Sequence, residues 1–163
     1  MAPGNIIMGT RRSSSRGDKF LTGPSSHPCL LCVIVEVGMA QWWLLIGSMA
    51  GLLGVAGGAF GAHALKARIS TQMLANFETG TRYLLVHAVA LLVVGVLASR
   101  PDAASLKPVG IAFTFGMVVF TGTLWLMALT DARWLGAITP IGGSSLIVGW
   151  ALLAIAAAKG HLT

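Results

Sequence analysis

The stretch GGAFGAHALKARISTQMLANFETGTRYLLVH, residues 57–87, decides how this chain is read. It sets two histidines, His63 and His87, together with Glu78 and Arg82 between long apolar runs on both sides. Such a chain is not built for water. Of its 163 residues, 55% are hydrophobic and 10% charged, where a soluble domain carries roughly a quarter charged. A hydrocarbon core of about 30 Å takes roughly 20 apolar residues per helix, so the chain has length for a few spans and none for a separate soluble catalytic domain.

Upstream of that stretch, residues 40–62 carry no charge and reach across a bilayer at about 1.5 Å per residue. Trp42 and Trp43 stand at its start, where indoles anchor at headgroup level. Gly47, Gly51, Gly54, Gly58 and Gly61 then follow at alternating spacings of four and three, which puts them on one helix face. Apolar side chains gain little from one another in lipid, whereas a glycine face lets a second backbone come close, so this face predicts helix packing.

Between the first two spans, residues 63–83 are too polar to cross. Leu65, Ile69, Met73 and Phe77 form an apolar stripe, with Lys66, Arg68, Gln72 and Asn76 off it. The pattern predicts a separate helix lying in the membrane interface, capped by Ser70 and broken or bent at Gly80. Further on, residues 83–99 form a second span, stopped by Arg100, Pro101 and Asp102. Residues 108–129 form a third, opened by Pro108, and residues 137–158 a fourth. Thr139 and Pro140 read as cap and first turn of that last helix, unless it begins near Trp134 and is kinked at Pro140. Gly142, Gly143 and Gly149 offer a second close-packing face, a reading preferred to a hinge. The expected fold is all-α: an integral membrane antiparallel four-helix bundle over residues 39–159, with an interfacial helix between the first and second spans. Arg100, Lys107 and Lys159 on one side balance Lys66, Arg68, Arg82 and Arg133 on the other, so orientation stays open.

Residues 1–38 differ in composition, rich in Gly, Pro and Ser with Arg11, Arg12, Arg16 and Lys19. They read as a disordered extension or as an upstream artefact of a start at Met39, in preference to a targeting signal. Cys29 and Cys32 lack the second pair that a zinc ribbon needs and read as incidental thiols. The net charge of +6 comes from basic residues at span ends and in this leader, which points to membrane flanks and not to nucleic acid. The expected partner is the lipid bilayer, joined by a second copy or another membrane protein.

Four segments carry a family resemblance: GAFGAHAL (58–65), FETGTRYLLVHAVALL (77–92), FTGTLWLMAL (120–129) and LGAITPIGGSSLIVGWALL (135–153). Their sequence and order resemble the YgdD family of small bacterial membrane proteins, catalogued as domain of unknown function 423, with the eukaryotic transmembrane protein 256 as a relative. The family's glutamine after the tyrosine is Leu84 here. The resemblance implies a multi-pass, four-helix protein of the bacterial inner (plasma) membrane, and it implies no activity.

The residues able to carry chemistry are His63, Glu78, Arg82, Tyr83 and His87. Glu78 and Arg82, and likewise Tyr83 and His87, are spaced for pairing along a helix, with Arg82 and His87 toward neighbouring faces. An ionisable group at membrane depth is costly unless it meets a partner or water. The favoured expectation is a structural polar clasp of His63, Glu78, Arg82 and His87, with Glu78→Ala expected to lower thermal stability. A small oligomeric proton- or ion-linked transporter or channel competes with it, using His87 and Glu78. Metal binding by His63, His87 and Glu78 is a weaker reading, and no metal or cofactor is expected. Neither a nucleophile elbow nor a phosphate-cradling loop occurs, so no catalytic residue is expected.

Overall fold

A segment without charges in lipid has to satisfy its backbone hydrogen bonds internally, which leaves the helix as its conformation. The computed structural model describes residues 30–100 and 106–159, with side chains from residue 38 onward, and four helices account for nearly all of it. α1 covers Leu30–Phe60 and closes in a π-helical turn, Gly61–Leu65. α2 is Thr71–Ala98, α3 is Lys107–Thr130, and α4 is Thr139–Ala158 after a 3₁₀ turn, Arg133–Ala137. Each helix is long and apolar enough to cross a membrane, so the protein is an all-α, four-span bundle embedded in lipid. Residues 1–29, most of the expected N-terminal extension including Cys29, lie outside the described residues; the backbone from Leu30 onward is helical.

Each helix packs on its neighbour in sequence. α1 lies on α2, α2 on α3 and α3 on α4, while α1 only grazes α3 and does not reach α4. The seam of α1 has a period of 3.5: Ala40, Trp43, Gly47, Ala50, Gly54, Gly57 and Gly61 are the buried positions. A Cβ at Gly47 would stand 3.0 Å from the Ala88 carbonyl oxygen, and one at Gly54 would stand 2.6 Å from Leu85 Cδ2. The glycine face therefore meets a helix, with two of its expected members replaced. Gly51 looks onto open space and Gly58 onto an ordinary 3.8 Å contact, because the seam takes Ala50 and Gly57 at those turns. Trp43 also departs from expectation. Trp42 is exposed as an anchor would be, but Trp43 is buried over Gly110 of α3, where a Cβ would stand 2.4 Å from the indole.

Residues 71–82 are not a separate helix; they are the first three turns of α2. Ser70 caps the start, its Oγ accepting from the Met73 N–H at 3.3 Å, and the helix then runs unbroken through Gly80. The apolar stripe expected to lie on lipid is spent on protein. Leu65, Met73 and Phe77 are buried with Leu124, Met127 and Ala128, and Phe77 stacks on Trp125 at 5.1 Å. Gly80 is present for proximity, since a Cβ there would lie 3.2 Å from Leu124 Cβ.

α3 ends at Asp131, whose φ of 53° is the left-handed conformation that closes many helices and that Asp tolerates. α4 starts at Thr139, not near Trp134, and Pro140 lies in its first turn. Thr139 is thus a helical residue and not the cap; its hydroxyl meets Leu135 O at 3.2 Å and Thr123 Oγ1 at 3.0 Å. Among the described glycines Gly142 allows the closest approach to another helix's backbone, with a Cβ falling 2.5 Å from the Phe120 backbone nitrogen. Gly149, two turns on, receives the Phe113 ring, while Gly143 makes only ordinary contact with Phe120.

Candidate functional site

His87 is the one ionisable side chain buried among the described residues, with 4% of its surface exposed. α2 brings it inward one turn after Tyr83, and the ring stacks beneath the Tyr83 ring at 5.9 Å. Its Nδ1 lies 2.7 Å from the Tyr83 carbonyl oxygen. Its Nε2 accepts the indole N–H of Trp150 at 3.1 Å. The tautomer that serves both bonds carries its proton on Nδ1 and offers a lone pair at Nε2. A second proton on Nε2 would face the indole N–H, donor against donor.

That bond joins two helices whose backbones do not pack on each other. Trp150 reaches from α4 across Phe113 of α3, meeting its ring edge-on at 5.2 Å; Phe113 also meets His87 at 5.6 Å. Phe113 has no exposed surface, and Gly149 beside Trp150 leaves room for it. Three helices therefore converge on one imidazole through a shared aromatic wall.

A second polar set lies nearer the start of α2. Thr81 Oγ1 donates to the Phe77 carbonyl at 2.9 Å and accepts from Trp125 Nε1 at 3.1 Å. Thr121 does not bond back to its own helix: its hydroxyl donates across to the Gly80 carbonyl at 3.1 Å. Thr123 does bond back, to Val119 O at 2.8 Å. Ser145 ties α4 to α3 through Ala112 O at 2.9 Å.

The other members of the expected clasp are elsewhere. His63 is exposed on the π-helical turn, and Glu78 and Arg82 are exposed on α2. Among the described residues none of the three makes a hydrogen bond or an ion pair, and the ion pair observed is Arg133 to Asp131 at 3.3 Å. Glu78 and His87 are nine residues apart, about two and a half turns, so they leave α2 in opposite directions. Arg82, five residues before His87, also points away from it instead of toward a neighbouring face. Of the five expected residues the structure unites Tyr83 and His87. His63, His87 and Glu78 do not converge as a metal reading requires; no group of three His, Cys, Asp or Glu side chains suited to a metal exists among the described residues.

Glu78 and Arg82 instead border a groove of about 260 Å³ between α1 and α2, with Gly57, Gly58 and Gly61 as its floor. A larger groove of about 390 Å³ between α1 and α3, lined by Met49, Leu53, Met117, Val118 and Trp125 among others, has no charged residue. Trp150 and Trp125, the partners that complete both polar sets, carry no local sign of that role in the sequence.

Comparison with known proteins places these residues in a family. Residues 57–143 match a family described as protein of unknown function (DUF423). A UPF0382 membrane protein of Staphylococcus epidermidis is 39% identical over 117 residues, 72% of this chain and 95% of the relative. The UPF0382 membrane protein YwdK of Bacillus subtilis is 37% identical over 118 residues, 72% of this chain and 96% of the relative. No solved structure matches the chain.

Proposed function

We propose, for a chain that belongs to the DUF423 family of proteins of unknown function, a non-enzymatic structural or partner-binding role in the bacterial inner (plasma) membrane. The single observation that supports it is the engagement of His87. Both ring nitrogens are bonded, the walls are aromatic, and among the described residues no carboxylate is bonded to the ring to pass a proton on. A relay needs a group free to exchange partners, and this one is used to hold α2, α3 and α4 together. An acid–base enzyme would need Glu78 or His63 bonded to a second reactive group, and among the described residues both are exposed without a hydrogen bond or ion pair. The four quoted motifs support a narrower kinship with the YgdD proteins and with eukaryotic transmembrane protein 256.

Helix lengths support an arrangement in the bilayer. At about 1.5 Å per residue the 20 residues of α4 match a hydrocarbon core of about 30 Å, and the 28 of α2 exceed it by about 12 Å. α4 begins level with Thr81, through Thr139 on Thr123 and Trp125 on Thr81. The first turns of α2, up to Glu78, then stand in the headgroup layer as an upright extension of a span.

Reconstitution in liposomes tests this reading against a transporter or channel. The wild-type chain is expected to give no proton or ion flux above empty vesicles, and His87→Ala to lower the melting temperature in detergent. A wild-type flux that His87→Ala abolishes, with the fold intact, would overturn it.

A further inference from the structure

The groove between α1 and α2 has features that neither close packing nor the His87 clasp accounts for. Of its three glycines, Gly57 and Gly61 are taken up by packing on Trp125 and Phe77, but Gly58 has space above it, its nearest neighbour to a Cβ being Thr81 Cγ2 at 3.8 Å. Its border carries a carboxylate and a guanidinium one turn apart, in the order that favours pairing along a helix, yet they form no ion pair. By the level of the α4 start, the groove opens at the membrane surface, with Arg82 on the hydrocarbon side and Glu78 about 6 Å further out.

From this we infer that the groove seats a zwitterionic phospholipid with a primary ammonium, a phosphoethanolamine lipid. Its phosphate lies at Arg82, its ammonium at Glu78, and the start of an acyl chain over the glycine floor. The order of charges decides the ligand. In such a lipid the phosphate is next to the glycerol, toward the hydrocarbon, and the ammonium is carried outward on a two-carbon bridge. Arg82 and Glu78 repeat that order along α2. Guanidinium is suited to the phosphate by its planar set of donors, and a carboxylate to an ammonium by charge-assisted hydrogen bonds. An anionic headgroup would meet its phosphate at Arg82 and an unwelcoming carboxylate above it. A quaternary ammonium has no N–H to give Glu78. A second copy of the chain fits less well, because a two-fold contact sets this patch against itself, and a groove facing a groove leaves a void. None of these residues belongs to the His87 clasp, so lipid retention reads independently of flux and of His87.

The test is native mass spectrometry of the full chain in detergent, with graded phosphatidylethanolamine, phosphatidylglycerol and phosphatidylcholine of identical acyl chains. Wild type is expected to retain phosphatidylethanolamine about fivefold better than the other two, the scale of a partly exposed charge pair. Glu78→Gln, nearly isosteric, is expected to erase that preference while leaving phosphatidylglycerol bound as well or better. Arg82→Gln is expected to weaken all three about equally. Gly58→Leu, which fills the groove and leaves both charges, is expected to do the same, with circular dichroism reporting an unchanged fold. Equal retention of phosphatidylethanolamine and phosphatidylglycerol by wild type would overturn the inference, as would a preference that survives Glu78→Gln. A wild-type dimer that Glu78→Gln dissociates, with no lipid preference, would overturn it in favour of a second copy.

Discussion

Two polar sets on one helix have opposite fates in this protein. His87, beneath the half-exposed Tyr83 ring, faces the bundle and is bonded at both ring nitrogens; Glu78 with Arg82, about one and a half turns before that pair, faces outward and is bonded to nothing described. A polar residue in a membrane helix is therefore to be judged by its face as well as by its depth. An inward group at mid-span must be satisfied by protein, because no water is there to serve it. An outward group near the end of a span has water and headgroups in reach and can stay open to a ligand.

The largest effect is expected at His87 itself. His87→Ala removes a buried ring and leaves the Trp150 N–H without its acceptor, at an expected cost of about 3 kcal/mol in detergent unfolding. Loss of less than about 1 kcal/mol would mean that the imidazole is not a structural junction. Trp150→Phe keeps an aromatic ring over Phe113 and deletes the hydrogen bond alone. Its expected cost is about 0.6 to 1.7 kcal/mol, the range for hydrogen bonds between membrane helices, measured by the same unfolding assay. Glu78→Ala and Arg82→Ala, exposed and unpaired, are each expected to shift stability by less than about 0.5 kcal/mol. That reverses the sequence-based expectation for Glu78→Ala, and a clear drop in its melting temperature would reunite the two sets.

How much of this was legible in the sequence varies by feature, for physical reasons. Uncharged runs long enough to cross a bilayer announce helices, because lipid permits almost nothing else to a single segment. Ser70 and Pro108 mark helix starts through local chemistry, and the structure uses both there. The seam of α1 was half legible. Counting glycines finds Gly47, Gly54 and Gly61, but at the turns between them Ala50 is small enough, and Gly57 rather than Gly58 meets Trp125. The polar stretch before Tyr83 suggested a helix lying flat, since its apolar stripe needs cover. Leu124, Met127 and Ala128 of α3 provide that cover, and a pattern within one segment cannot tell protein from lipid on its apolar side. The bond from Trp150 to His87 joins residues 63 apart through side-chain reach alone, and no local spacing encodes it. The separation of Glu78 from His87 was available all along: nine residues at about 100° each place them on opposite faces.

A double-mutant cycle tests the central division directly. Unfolding free energies in detergent would be measured for His87→Ala with Trp150→Phe, and for His87→Ala with Glu78→Ala, singly and combined. The expected coupling is about 0.6 to 1.7 kcal/mol in the first pair and zero within error in the second. Coupling between Glu78 and His87 as large as that between Trp150 and His87 would contradict the account.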